Sequence, residues 1–293
     1  MRSSWPWLVT FALVALTSTG CAKGVASMSV TQIAPAGLEP QDVVGVVVVN
    51  GTEAMEQKWA QRVSKCVDHV LDRARAKVRV MRASDTTPNV SSLPFDEDSA
   101  WQALAADAGF RQSAGMLGLQ YLVAVSVSEY TGPSMSKAEF GRGGDVFGID
   151  ISSNRELTVN VKAVVVDLKN ARLAARVSGG GRGNSRQGMI LLYLVIPIPY
   201  WSTTSSFNPA CRKLGMGVAL ALVHRTSDPE VVSACPFVDF VKDDNWDDMV
   251  EKVLRLRGNT VLFPEDASAS IYAEKFWRDV RARVYRCETR KSP

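Results

Sequence analysis

Between Asp42 and Asn50 the chain carries six valines, Val43, Val44, Val46, Val47, Val48 and Val49, interrupted only by Gly45. β-Branched side chains crowd a helix and suit a pleated strand. The run does not alternate apolar with polar residues, so a strand here must be covered on both faces. That requirement points to a sheet between two layers. Asn50-Gly51-Thr52 breaks the strand. Met55, Trp59, Val63, Cys66, Val67, Val70, Leu71 and Ala74 then recur at helical spacing and form one apolar face. The loop between strand and helix has neither GxGxxG nor GxxxxGK[ST], which argues against a nucleotide site.

The same reading continues along the chain. Val78–Met81 is a short strand, and 88–94 is a loop. Asp96-Glu97-Asp98-Ser99 places acids where a helix N-terminus favours them, ahead of Trp101, Leu104, Ala105 and Ala108. Tyr121–Tyr130 is a strand. Residues 132–154, with Gly141, Gly143, Gly144 and Gly148, are expected to form a long connection. Glu156–Asp167 alternates as a half-buried strand, Lys169-Asn170 turns, and Leu173–Ser178 returns as its hairpin partner. Gly179-Gly180-Gly181-Arg182-Gly183 is expected to be a flexible break. Met189–Ile196 is continuously apolar and ends in Pro197, Ile198, Pro199, Tyr200 and Trp201. It is too short to span a membrane as a helix. A buried edge segment is one reading. A membrane- or partner-facing lip formed by Ile190, Leu191, Leu192, Tyr193, Tyr200 and Trp201 is the other. Asn208-Pro209 suits a helix start, and Cys211, Leu214, Val218 and Leu222 line one face after it.

Thr226-Ser227-Asp228-Pro229 reads as a turn and a domain boundary. The tail then reads strand (231–241), helix (from Asp244, closed by Gly258), strand (259–263) and strand (279–287). At about 60 residues, it is marginal for a core and calls for a staple.

The N-terminus says where the chain goes. Arg2 precedes an uncharged, largely apolar run from Trp5 to Leu16, and small residues lead into Cys21. This is the layout of a secretory signal peptide. Leu16-Thr17-Ser18-Thr19-Gly20-Cys21 resembles the bacterial lipobox, although Ser18 stands where Leu is usual. The resemblance implies that Cys21 is lipidated and becomes the mature terminus. Ala22 in place of Asp implies the outer membrane. Residues 1–20 are then the signal peptide and 21–41, with Pro35, Gly37 and Pro40, a lipidated tether.

An exported chain changes the meaning of its cysteines. Cys66, Cys211, Cys235 and Cys287 remain after Cys21, enough for two disulfides with three possible connectivities. Cys66 and Cys211 both sit on apolar helix faces. Cys235 and Cys287 lie on the first and last strands of the tail. The expected pairs are therefore Cys66–Cys211 and Cys235–Cys287. Metal-ligand spacing is absent, and His69 and His224 stand alone in sequence. The net charge of +4 is too small and too evenly spread to indicate nucleic acid.

Two resemblances follow. Residues 42–225, through the strand Tyr121–Tyr130, the glycine-rich insertion and the strand Leu157–Asp167, resemble the periplasmic domain of the CsgG and LpoB lipoproteins. Residues 229–290, through Cys235-Pro236-Phe237-Val238, Trp246, Gly258-Asn259-Thr260-Val261-Leu262 and Val284-Tyr285-Arg286-Cys287, resemble small envelope domains of the DUF4156 and RcsF type. They imply an α+β chain: a CsgG/LpoB-like three-layer sandwich with a mixed sheet (42–226), then a small disulfide-stapled β-α-β-β domain (229–290). Neither family is enzymatic, and no nucleophile–base pair or carboxylate pair can be assigned. No cofactor or catalytic residue is expected. The expected function is a non-catalytic outer-membrane lipoprotein that binds an envelope protein or cell-wall polymer. A secretion channel is the first alternative, with residues 132–156 and 179–206 as its hairpins. In the first, only Phe147, Ile149 and Ile151 alternate well, while Lys137, Glu139 and Arg142 interrupt the preceding stretch; in the second, Pro197 and Pro199 each remove a ladder donor and suit an edge better than a barrel wall. An envelope hydrolase, with no motif in its favour, is the second alternative.

Overall fold

The computed structural model describes residues 25–49, 53–85, 90–143, 146–192, 196–226, 228–242, 246–262 and 281–287. It is an α+β chain with one large mixed sheet, one small sheet and two disulfides.

The large sheet contains β1 (Val25–Gln32), β2 (Val43–Val49), β3 (Lys77–Met81), β4 (Tyr121–Thr131), β5 (Met135–Gly143), β6 (Val146–Asp167), β7 (Arg172–Leu192) and β8 (Ile196–Thr203). Its order is β1-β7-β6-β4-β2-β3, with β5 paired to β6 and β8 to β7. β2 pairs in parallel with β3 and β4. The helices are α1 (Glu53–Leu71), α2 (Asp98–Ala106), α3 (Ala108–Met116) and α4 (Phe207–Ala221).

The valine run is covered on both faces. Val47 and Val49 join Trp101, Leu104 and Phe110 of α2 and α3 in one core. Val44, Val46 and Val48 are equally buried, with opposite parity, and α1 packs on β2. Two glycines of α4 permit close packing. A Cβ on Gly215 would lie 2.4 Å from the Cys66 carbonyl oxygen of α1. One on Gly217 would meet Met28 Sδ of β1 at 2.4 Å and Val177 Cγ1 of β7 at 2.5 Å.

The small sheet contains β9 (His224–Thr226), β10 (Phe237–Lys242), β11 (Thr260–Leu262) and β12 (Arg281–Tyr285), in the order β10-β12-β11-β9. A helix, α5 (Trp246–Arg255), lies between β10 and β11 in sequence. β9 runs parallel to β11, and the other pairs are antiparallel.

The described chain forms two compact units. One is Glu129–Val159 with Gly181–Pro209 and the chain up to Ala26. The other is Ser27–Ser128, Asn160–Gly180 and the residues from Ala210 onward.

Several expectations are corrected. Residues 25–32 of the supposed tether are strand β1, and Val30, Ala36 and Leu38 are buried. Met28 and Val30 supply a period of two that the small neighbouring residues mask. The expected connection at 132–154 contains the β5–β6 hairpin. The expected glycine break is the interior of β7. Its glycines serve close approach: a Cβ on Gly179 would lie 2.7 Å from the Ser27 carbonyl oxygen. The tail strand placed at 231–241 is a short helical turn, Pro229–Val232, followed by β10. The left-handed residue after α5 is Arg257 (φ 56°), not Gly258. Gly258 instead makes room for Val284, whose Cγ1 would lie 2.0 Å from a Cβ there. At the start of α4 the Ser205 hydroxyl accepts the Asn208 N–H at 3.1 Å, so Ser205 rather than Asn208 does the capping.

Candidate functional site

The first unit is built on the antiparallel strands β5, β6, β7 and β8, and its two sides differ in chemistry. In the β5–β6 ladder Ala138 faces Ile151 and Phe140 faces Ile149, while Lys137 faces Ser152 and Glu139 faces Asp150. Directly opposed residues share a side, and successive residues alternate. Lys137, Glu139 and Asp150 therefore fall on one side, and Ala138, Ile149 and Ile151 on the other. Lys137 and Glu139 form an ion pair on the charged side. Arg186 of β7 joins them, donating to Asp150 at 2.7 Å and to the Ser152 hydroxyl at 3.3 Å. Met135 and the half-buried Ile190 are apolar exceptions on this side.

Arg186 fixes the parity of β7, so Met189 and Leu191 lie on the opposite side. Register brings Pro199 opposite Met189, Pro197 opposite Leu191 and Trp201 opposite Gln187. The second side thus combines Ile149, Ile151, Met189, Leu191, Pro197, Pro199 and Trp201. It is open to solvent: Trp201 is 80% exposed, Ile151 44% and Met189 36%. Between Ile149 and Ile151, Met189 and Leu191, and Pro197 and Trp201 this side carries no charge, and Arg155, exposed on β6 four residues beyond Ile151, is the first charge of the same parity. Arg142 shares this parity near the turn end of the hairpin.

The register changes the role of the residues that interrupt the two hairpins. Lys137 and Glu139 do not interrupt an apolar side; they line the polar one. The prolines also act differently from a missing ladder donor. Thr204 N–H donates to Asn184 O at 2.7 Å, so even-numbered residues of this ladder make the β7–β8 bonds. Pro197 and Pro199 occupy the alternate positions, whose nitrogens point away from β7. Both prolines remove donors from the outer edge of β8 and none from the hairpin. Gly183 completes the base, where a Cβ would lie 2.2 Å from the Thr204 carbonyl oxygen.

Of the lip residues with described side chains, Trp201 is exposed, and Ile190 and Leu191 are half-buried on opposite sides. Met189–Leu191 is therefore not a buried edge segment. Leu192 ends β7, and Tyr200 is in register with Gly188. Tyr193 and Cys21 lie outside the described residues. In the sequence Ile151 counts only as part of a candidate membrane hairpin and Met189 only as the start of the apolar run; the ladder register sets both beside Trp201.

The cysteines join as Cys66–Cys211 and Cys235–Cys287. Cys235 precedes β10 and Cys287 follows β12, so both stand just outside their strands.

The buried polar groups have structural partners. The Asp42 carboxylate accepts the Glu39 N–H at 2.8 Å and Lys169 Nζ at 3.0 Å. Burial nevertheless holds its carboxyl above the usual range. Tyr121 donates to Gly37 O at 2.7 Å, and burial pushes its hydroxyl far above the ordinary phenol value. Lys162 bonds Asp96, and Arg176 bonds Asp98, which ties the acidic helix start to the sheet. Among the described residues no group of three or more His, Cys, Asp or Glu side chains could hold a metal ion. Among them, too, no helix is long and apolar enough to cross a membrane.

No family model and no curated protein matches the chain. Among solved structures it is similar to the PelC dodecamer from Paraburkholderia phytofirmans. The identity is 14%, the TM-score 0.35, and the match covers 67% of this chain and 98% of that one. It is also similar to the hypothetical protein CT253 from Chlamydia trachomatis. There the identity is 11%, the TM-score 0.21, and the match covers 50% of this chain and 72% of that one. At these scores no function is drawn from either likeness.

Proposed function

We propose that the chain is a lipid-anchored outer-membrane protein, facing the periplasm, that works by binding and scaffolding in the cell envelope. The observation that carries this reading is the solvent-open apolar side of the β5–β8 sheet. Ile151, Met189 and Trp201 are gathered there from three strands, and apolar surface gathered in this way marks an interaction site. The leader and the cysteine that ends it favour the anchor. Polar groups spent on structure, such as Asp42, Tyr121 and Arg176, favour binding over chemistry.

The channel remains a second reading because one observation favours it: both hairpins exist, and one sets Lys137, Glu139 and Asp150 on one side and Ala138, Ile149 and Ile151 on the other, the alternation a barrel wall needs, broken only near its turn by Arg142. The outer edge of β8 weighs against it. A closed barrel must hydrogen-bond every edge in lipid, and Pro197 and Pro199 cannot donate to a neighbouring strand.

Two measurements test the proposal. Cells fed labelled fatty acid should label the wild-type chain and not Cys21→Ala. Normal processing and labelling of that variant would remove the anchor. Planar-bilayer recording with the full lipidated protein should give no steady conductance. Single-channel currents, accompanied by ring-sized particles in detergent, would replace the scaffold with the channel.

A further inference from the structure

The start of β1, four residues after the proposed anchor, and the apolar side of the hairpin sheet belong to one unit, and this suggests what covers that side. The strand β1 begins at Val25, and Val25 and Ala26 group with the hairpins. Four residues from Cys21 to Val25 can span at most about 14 Å. An acylated Cys21 would therefore hold this unit close against the bilayer.

We propose that the apolar side of the β5–β8 sheet lies on the phospholipid leaflet beside the anchor, with Trp201, Met189, Leu191 and Ile151 seated at its interface. The inference rests on the reading that Cys21 is acylated, and it adds a second contact that does not depend on the acyl chains.

Three features favour lipid over a protein partner. First, the patch formed by Ile149, Ile151, Met189, Leu191, Pro197, Pro199 and Trp201 carries no charge, whereas Lys137, Glu139, Asp150 and Arg186 lie on the other side; Arg155, of the same parity as Ile151, stands four residues outside the patch along β6. That division between two faces suits an interfacial surface, which buries one face and hydrates the other. Second, Trp201 is almost fully exposed although it is large and amphipathic, and tryptophan favours the depth of the headgroups. Third, the outer edge of β8 is poor in donors at Pro197 and Pro199, which disfavours the addition of a partner strand. A leaflet needs no strand donors.

The test uses the full mature chain with Cys21→Ala and neutral vesicles of phosphatidylcholine and phosphatidylethanolamine. The unacylated chain should float with vesicles, and brominated lipid should quench part of its tryptophan fluorescence. Trp201→Phe should remove that quenched part. Met189→Glu with Ile151→Glu should weaken partitioning about tenfold or more, because each places a charge on the lipid side. Glu139→Gln, on the polar side, should leave partitioning unchanged. Failure of the unacylated chain to bind vesicles would overturn the inference. So would quenching that persists in Trp201→Phe. A photo-crosslinker at position 201 that captures a protein or a second copy instead of lipid would do the same. Fatty-acid labelling of the wild-type chain is read separately, so loss of the anchor and loss of the sheet contact give different results.

Discussion

Asn259 grips the backbone of Cys287 with both ends of its side-chain amide. Its Nδ2 donates to the Cys287 carbonyl at 2.6 Å, and its Oδ1 accepts the Cys287 N–H at 2.8 Å. Its own backbone accepts from His224 and donates to Tyr285, and only 4% of the residue is exposed. The Cys235–Cys287 bridge is thus anchored to the sheet by the neighbouring polar clamp.

Asn259→Ala should therefore destabilise the tail even with the disulfide intact. It leaves the part-buried Cys287 N–H and carbonyl without these partners, at a cost of about 1–3 kcal/mol. A lower denaturant midpoint, with non-reducing mapping still showing Cys235–Cys287, is the expected result.

Gly215→Ala and Gly217→Ala should both lower stability, although alanine is the better helix former by about 1 kcal/mol. The larger loss belongs to Gly215, because its new methyl meets the Cys66 carbonyl, and Cys66 is bonded to Cys211 of the same helix. A Cβ on Gly217 meets side chains alone, the flexible end of Met28 and Val177 Cγ1, rather than backbone. We expect a loss of about 1–3 kcal/mol for Gly215→Ala and a smaller one for Gly217→Ala. Urea unfolding of the two variants side by side decides the order.

Peptide mapping without reduction should recover Cys66 with Cys211 and Cys235 with Cys287. Removing the first pair as Cys66→Ala with Cys211→Ala should cost about 2–5 kcal/mol. It closes the longer loop, with a sequence separation of 145 against 52 for the second pair. A Cys66–Cys235 peptide from native protein would contradict the fold itself.

Burial holds the His224 imidazole below its ordinary value, with Arg172 and Arg225 adding to the effect. The folded chain thus prefers neutral His224, whereas the unfolded chain protonates near the ordinary value. Its share of stability is present above that value and is lost as pH falls toward the depressed one. His224→Gln should flatten the acid-side fall in thermal midpoint between pH 7.5 and pH 5. An unchanged slope would remove His224 from the account.

Much of the fold was legible because it depends on local periodicity. The valine run, the apolar stripe of α1 and the cysteines on two helix faces can each be read without knowing a partner. What was missed depends on partners. Lys137 and Glu139 look like interruptions until Asp150 and Arg186 are found beside them. The glycines of β7 look like a break until Ser27 and Thr204 are seen to need the space. β1 has too few large side chains to announce itself, and β9 is three residues whose only argument for being a strand is β11. The apolar side of the hairpin sheet was half visible at Trp201, but Ile151 lies fifty positions earlier and is brought in only by the ladder.

Only Leu222 and Val223, both buried, separate the end of α4 at Ala221 from the start of β9 at His224. Across the same region Arg73 pairs with Glu251 of α5 at 2.8 Å. The joint between the large sheet's last helix and the small sheet therefore has no slack, and it does not behave as a hinge. A cut between Thr226 and Pro229 would leave β9 on one fragment and its partner β11 on the other. The tail is consequently no cassette to be lifted out or swapped: force applied to it passes directly into α4, and through Cys211 into α1.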